Sequence, residues 1–170
     1  MRKLLLTLAA SLSIAYAAAQ PPRMELQQSG FAPVEVPIPA IPAERLLELT
    51  QTWANEFNRR EDGFDVTNVT ANTITITANK DNAFFYRDRG QAFDHKIRYE
   101  LQLTFNAGSY TARFVINEIY KDDKRIEYNI PDYYNSAGRL KEGYEEIERS
   151  LEATVNNIVM SHYNFLVNFR

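Results

Sequence analysis

Residues 96–105 alternate strictly between apolar and polar side chains, and no other feature of the chain constrains the fold as much. The apolar phase consists of Ile97, Tyr99, Leu101, Leu103 and Phe105. This period of two is typical of a β-strand with one face on a core and the other in water. Residues 110–116 alternate in the same way after the turn at residues 106–109. The two segments therefore predict a β-hairpin that sets the register of an antiparallel sheet.

Weaker strand signals surround this hairpin. Residues 64–70 and 73–79 are rich in Thr, Val and Ile on either side of Asn72, which is typical of a turn. The stretch 31–42 alternates prolines with valine and isoleucine. Because proline cannot donate to a ladder, a strand there must lie at a sheet edge, and an extended polyproline-like arm is the alternative. A further short strand is predicted at residues 125–130.

Two helices are also predicted. The first begins at Pro42, which suits the first helical position, and stops before Gly63. Its apolar face is formed by Leu46, Leu47, Thr50, Trp53, Ala54 and Phe57. The second opens at Ser136 and runs almost to Arg170, with apolar residues every three or four positions. Helices must cover one face of an antiparallel sheet, so the predicted class is α+β, with about five strands packed by these two helices in two layers.

The first twenty residues indicate export. Arg2 and Lys3 form a positive start, residues 4–16 are apolar, and small residues lead to Ala19. This is the layout of a secretory signal peptide. We therefore expect a protein that works outside the cytoplasm, either in the periplasm or after full secretion.

Cleavage after the signal peptide would leave one domain behind a short leader. Removing 19 of the 170 residues leaves 151, which is enough for a single domain with its own core. We expect residues 1–19 to be the signal peptide, residues 20–31 a flexible leader, and residues 32–170 one folded α+β domain.

Composition excludes several classes of protein. The chain has no cysteine, so it uses no disulfide, no thiol chemistry and no lipid anchor on an N-terminal cysteine. Its net charge of −3 becomes −5 when Arg2 and Lys3 leave, and an acidic surface disfavours nucleic acid. No later stretch reaches the roughly 20 apolar residues of a membrane span. No metal, nucleotide or serine-nucleophile motif is present, so we expect no cofactor and no catalytic residue.

Three segments carry a resemblance to a known family. They are the extended Val34–Pro37 that enters a helix with Trp53 near its end, the Thr-rich hairpin 69–74, and the strand 99–103 that turns into residues 110–113. With the exported leader, they resemble a bacterial secreted domain-of-unknown-function family with a TBP-like fold. That resemblance implies a fold and an exported location. It implies no activity, because the family has none assigned. The topology is also similar to helix-grip proteins of the START and pollen-allergen type, whose sheet and long helix enclose an apolar ligand cavity.

The segment 80–94 is the most promising candidate for a binding site. It is predicted as a loop of about fifteen residues between strands, and long loops are often functional. Its aromatic residues are Phe84, Phe85, Tyr86 and Phe93. Arg87 and Arg89 accompany them, and Tyr133 and Tyr134 are expected to join them at one end of the sheet. Aromatic rings suit contacts with a ligand or partner; the alternative is that the loop caps the core.

The two histidines each allow two interpretations. His162 lies on the apolar side of the last helix and marks either a ligand cavity or proton-handling site, or a core histidine satisfied by one hydrogen bond. His95 follows Asp94, a pair suited to acid–base work or a metal. Two histidines 67 positions apart provide no metal-ligand spacing, so a solvated strand start is the simpler interpretation of His95.

These features favour a non-catalytic exported domain that binds an envelope protein or an apolar small molecule. A second hypothesis is a structural or assembly protein that forms a homodimer through its last helix, because residues 153–169 carry no formal charge. A third is a hydrolase with dispersed carboxylates. A cavity between helix and sheet would favour the ligand carrier, an exposed apolar stripe the assembly protein, and convergent carboxylates with shifted pKa values the enzyme.

Overall fold

A computed structural model describes residues 20–60 and 63–169. The elements in chain order are β1 (Leu26–Gln27), β2 (Gly30–Phe31), β3 (Val34–Pro37), α1 (Ala43–Phe57), β4 (Asp65–Thr67), β5 (Thr73–Asp88), β6 (Gln91–Asn106), β7 (Ser109–Lys121), β8 (Lys124–Ile126), a 3-10 turn (Ile130–Tyr133) and α2 (Glu145–Asn168). The predicted signal peptide, residues 1–19, lies outside the described residues. Neither helix in the described ranges is long and apolar enough to cross a membrane.

One antiparallel sheet organises the molecule. Its strands lie in the order β3-β7-β6-β5-β4, and β8 also pairs with β7. The predicted hairpin is confirmed as β6 and β7, which meet at the pair Asn106 and Ser109. The segment 31–42 contributes the edge strand β3, as its prolines require. An extra residue in β7, Asn117, forms a bulge that brings Ile119 into the core.

The core lies between one face of the sheet and the two helices. The apolar phase of β6 is at most 2% exposed, whereas its polar phase is half-buried on the uncovered face. Tyr99 stacks on Phe114 of β7, with ring centroids 4.8 Å apart. Helix α1 presents Leu46 and Trp53 to this core. Helix α2 presents the residues Ile147, Leu151, Val155, Ile158, His162 and Leu166. The α+β prediction is therefore confirmed.

A second side of α2 runs along the edge of β5. The Thr154 hydroxyl donates to the carbonyl of Ala83 at 2.7 Å, and the amide of Phe85 donates to the Ser150 hydroxyl at 3.2 Å. One turn earlier, Glu146 pairs with the Arg87 guanidinium at 2.6 Å. Helix side chains thus satisfy backbone groups that a sheet edge would otherwise leave open.

The predicted flexible leader is wrong, because residues 24–31 pack into the domain. The Asn156 side chain bonds both backbone groups of Met24, at 2.8 and 2.9 Å, and Met24 is fully buried. The Glu152 carboxylate is 8% exposed and accepts hydrogen bonds from Arg23 and from the amide of Leu26. Polar side chains on α2 therefore hold a segment whose composition suggests a flexible linker.

Two predicted boundaries are also wrong. Residues 80–94 are not a loop: β5 continues to Asp88 and β6 starts at Gln91, joined by the two residues Arg89 and Gly90. Both have positive φ, as a tight hairpin turn requires. The second helix begins at Glu145 rather than at Ser136, because residues 134–144 form an irregular segment in which Gly143 has a φ of 88°.

Candidate binding site

Four of the predicted site residues meet at the end of the long β5–β6 hairpin. Tyr86 stacks on Phe93 across the two strands, with ring centroids 5.3 Å apart. Phe84 meets the edge of Tyr133 at 6.0 Å. Phe84 and Tyr133 are almost fully buried, whereas Tyr86 and Phe93 remain half-buried. The prediction that these aromatic residues come together at one end of the sheet holds, although they lie on strands rather than on a loop.

Three further residues complete this cluster and were not predicted. The Tyr144 ring lies 5.2 Å from both Tyr86 and Tyr133. Tyr128, which is 50% exposed, lies 5.8 Å from Tyr133. The third residue is His95, whose ring is parallel to Phe84 at 4.7 Å. A signal for His95 existed in the sequence, because residues 95, 97 and 99 share one phase of the alternation.

The interpretation of His95 as a solvated strand start is therefore wrong. His95 is 2% exposed and its Nδ1 donates to the carbonyl of Phe93 at 3.0 Å. Burial lowers its pKa, since charging the ring in an apolar setting is unfavourable. The neutral ring acts as a packing surface between Phe84 and Tyr86.

Two predicted residues lie away from the cluster. Phe85 points to the opposite face of β5, where the Arg87 guanidinium lies 5.3 Å from its ring centroid. Tyr134 lies under α2, and burial raises its pKa, with smaller contributions from Glu148 and Glu152. Its buried hydroxyl has no hydrogen-bond partner among residues 20–60 and 63–169.

His162 occupies a separate polar cluster in the core. Its Nε2 is 2.9 Å from the Thr50 hydroxyl and its Nδ1 is 3.2 Å from the Tyr110 hydroxyl. Trp53 packs against the ring at 4.9 Å and donates its own N–H to Ser161 at 3.1 Å. Complete burial lowers the pKa of His162 to about 3, so the ring is neutral near pH 7. The structural interpretation is correct, with two hydrogen bonds rather than one.

The space between α2 and the sheet is filled by side chains. His162 bridges α1, α2 and β7, while Val155, Ile158 and Leu166 are at most 1% exposed. Four clefts in the described part of the chain have volumes of 180 to 470 Å³ and lie on the outer surface. This packing differs from that of helix-grip carriers.

The aromatic cluster offers ring faces and phenol groups. Burial raises the pKa of Tyr133, and neighbouring tyrosines add to this effect. Burial likewise raises the pKa of Tyr144. The Lys121 ammonium lies 4.2 Å from the Phe93 centroid, in cation–π contact. Neutral phenols and rings suit hydrogen bonding and stacking rather than proton abstraction.

A salt-bridge network lies at the bulge of the same hairpin. Lys96 binds Asp81 at 3.1 Å and Asp123 at 2.8 Å, in a surface cleft of about 310 Å³. The hydrogen bond from Lys96 lowers the pKa of the Asp123 carboxyl. In the described ranges no group of three or more histidine, aspartate or glutamate side chains could hold a metal ion.

No family model and no curated protein matches the sequence. The fold is nevertheless similar to two solved structures. A crystal structure of a DUF4468 family protein from Bacteroides ovatus aligns with a TM-score of 0.62 and 14% identity, over 88% of this chain and 91% of that chain. A crystal structure of a TBP-like protein from Parabacteroides distasonis aligns with a TM-score of 0.56 and 15% identity, over 79% and 90%. At the level of the fold, these structures confirm the resemblance to a bacterial domain of unknown function with a TBP-like fold.

Proposed function

We propose that this protein is an exported, non-catalytic domain that binds a protein partner in the bacterial envelope through an aromatic surface. That surface consists of Tyr86, Phe93, Tyr128 and Tyr144. Its rings are partly exposed, and the β5–β6 hairpin presents two of them. Tyr86 contacts both Phe93 and Tyr144, and Tyr128 joins them through the buried ring of Tyr133. Tyrosine contributes contact area and a hydroxyl at low entropic cost, which is why it is enriched at interfaces. This surface is the observation that carries the proposal.

The filled core supports a protein partner over an apolar small molecule. A carrier needs a cavity that encloses most of its ligand, and the helix–sheet interface is occupied by its own side chains. The Lys96 network supports a non-catalytic role, because its carboxylates are paired with a cation. A general acid needs a carboxyl that remains protonated near neutral pH. The hydrogen bond from Lys96 has the opposite effect, because it lowers the pKa of the Asp123 carboxyl.

Site-specific photocrosslinking tests the proposal. Benzoylphenylalanine at Tyr128, which is 50% exposed, should crosslink one discrete envelope protein in the native host. The same group at Val69, 48% exposed in the β4–β5 connection, is the matched control and should give no discrete adduct. The variants Tyr86→Ala and Tyr144→Ala should each weaken the Tyr128 adduct. Equal adducts at both positions, or none at Tyr128, would contradict a specific aromatic interface.

Export is tested separately by cell fractionation. The full chain should accumulate outside the cytoplasm with a mass reduced by residues 1–19. A chain lacking these residues should stay in the cytoplasm with the same fold by circular dichroism. Retention of the full, uncleaved chain in the cytoplasm would contradict this part of the proposal.

A homodimer through α2 is the second candidate, favoured by one observation. The outer stripe of the helix carries Ala153, Asn157, Met160 and Asn164, none of them charged, while the other faces pack on the domain. An uncharged stripe can meet its own copy without like-charge repulsion. Sedimentation equilibrium should then give a dimer that Asn157→Glu dissociates. A monomer at 100-micromolar concentration would contradict this candidate.

A further inference from the structure

The proposed export determines which residue begins the mature chain. Cleavage after Ala19 leaves Gln20 as the first residue, and two prolines, at positions 21 and 22, follow it. In the structure Gln20 and Pro22 are exposed and lie outside any helix or strand. The new N-terminus is therefore open to solvent and to enzymes outside the cytoplasm.

Only three residues separate this terminus from the packed part of the domain. The last of them, Arg23, already forms a salt bridge to Glu152 at 2.8 Å. Met24 is fully buried, and Leu26 is 6% exposed. An exopeptidase that removes residues past Arg23 would therefore take buried side chains out of the core, which costs stability.

A glutamine at the N-terminus of a chain can close on itself. The free α-amine of Gln20 attacks Cδ of its own side-chain amide, and a C–N bond forms while the bond from Cδ to the amide nitrogen breaks. The departing nitrogen takes a proton from the attacking amine and leaves as ammonia, so the reaction needs no oxidant, reductant or second substrate. The product is a five-membered lactam, pyroglutamate, which lacks the positive charge of an α-amino group.

We propose that Gln20 is converted to pyroglutamate after export and that this lactam protects residues 23–31 against exopeptidases. The inference rests on the export proposed above and is independent of the aromatic surface. Aminopeptidases bind the free α-amino group of their substrate, which the lactam removes. Pro21 and Pro22 add to the protection, because proline has no N–H to donate and a fixed φ that most peptidase clefts do not accept.

Mass spectrometry of the protein from its native host tests the modification. The full chain is expressed, the envelope fraction is purified in the cold, and cleavage after glutamate releases residues 20–25. Most of this peptide should be lighter than its unmodified form by one ammonia, about 17 Da. A synthetic, isotope-labelled peptide of the same sequence with a free amine, added at lysis, measures ring closure during handling.

The outcomes separate this inference from export. A processed chain with a free Gln20 amine, or one whose first residue is not Gln20, would overturn the inference and leave export standing. Equal ring closure in the protein and in the labelled peptide would also overturn it, since the lactam would then form only during handling. A full, uncleaved chain would overturn export and the inference together.

Gln20→Asn is the matched variant for the protective role. It keeps an amide side chain, but with one methylene less the corresponding lactam is a strained four-membered ring, so the α-amine stays free. A purified aminopeptidase that removes a residue preceding proline should release the first residue of the variant and leave the parent protein intact. Both proteins should have the same urea midpoint before treatment, because the side chain of residue 20 is exposed. Equal release from both proteins would overturn the protective role.

Two deletions test why protection is needed. A chain whose signal peptide is joined to Arg23 keeps the salt bridge and every buried side chain, and should unfold at the same urea concentration as the parent protein. A chain joined at Gln27 lacks Met24 and Leu26 and should unfold at a lower concentration. Equal midpoints for the two deletions would show that trimming is harmless and would overturn the proposed role of the lactam.

Discussion

Burial decides the chemical state of individual side chains in this protein. His162 and His95 are both ordinary histidines in the sequence, but each is at most 2% exposed in the fold. Desolvation lowers both pKa values and leaves two neutral rings that pack against aromatic neighbours. Neither ring acts as a charged group near pH 7.

The first prediction at this scale concerns pH. The pKa of His162 is about 3 in the fold and about 6.5 when unfolded, so below pH 6.5 the unfolded chain binds the proton first. The contribution of the neutral His162 ring to the free energy of unfolding is fully present above pH 6.5. It is lost progressively as the pH falls from 6.5 to 3. The loss should reach about 2 kcal/mol between pH 6.5 and pH 5. Urea denaturation at each pH measures it.

Two variants separate titration from packing. His162→Phe should be less stable at pH 7 but should lose less stability on acidification than the parent protein. Thr50→Val removes one hydrogen bond to the ring and should keep the pH dependence. An unchanged pH dependence in His162→Phe would show that another group is responsible.

The second prediction at this scale concerns Asn156. Asn156→Ala removes both hydrogen bonds to Met24 and should cost about 1–3 kcal/mol in the free energy of unfolding. The amide of Met24 should then exchange more rapidly with solvent. Asn157→Ala, one position along the helix and exposed, is the control and should change stability by less than about 0.5 kcal/mol. Equal effects of the two variants would contradict a specific anchor.

At the scale of elements, one helix performs three structural tasks. One side of α2 completes the core, a second satisfies the backbone of β5, and a third holds residues 23–26. The sequence predicted the first task, since apolar spacing reports burial. It could not predict the other two, because hydroxyl, amide and carboxylate side chains at helical spacing look the same whether water or a distant backbone group binds them.

Protection of the β5 edge is testable. Thr154→Val keeps the shape of the side chain but leaves the Ala83 carbonyl without its donor, which should cost about 1 kcal/mol. Ser150→Ala should similarly accelerate hydrogen exchange of the Phe85 amide. The double variant should aggregate sooner on heating, because it exposes an open edge. Thr154→Ser, which retains the hydroxyl, is the control, and equal loss in Thr154→Ser and Thr154→Val would implicate packing instead.

The hairpin β5–β6 shows why the predicted loop was wrong. A polar run at residues 80–82 resembles the end of a strand, but it is a bulge in which Asn82 has a φ of 49°. The ladder resumes at Phe84 and continues to the turn. Of the aromatic residues predicted in this segment, Phe84, Tyr86 and Phe93 lie in one cluster, whereas Phe85 points to the opposite face. The exposure of the cluster depends on contacts with Tyr128 and Tyr144, which are distant in the sequence.

At the scale of the whole molecule, the sheet and both helices share one core. Trp53, the only tryptophan of the chain, reports the α1–α2 contact, whereas far-ultraviolet circular dichroism reports the sheet and helices together. The two signals should give coincident urea transitions. A separate, earlier transition of Trp53 fluorescence would mean that the helices unfold independently of the sheet.

The sequence by itself determined the α+β class, the β6–β7 hairpin, the edge position of β3 and the existence of both helices. These follow from local rules: alternation, helical spacing and the missing donor of proline. The tertiary structure alone decided that residues 23–26 are held by α2 and that His95 joins the aromatic cluster. Each of these depends on which backbone groups of remote segments find partners, and no local pattern encodes that pairing.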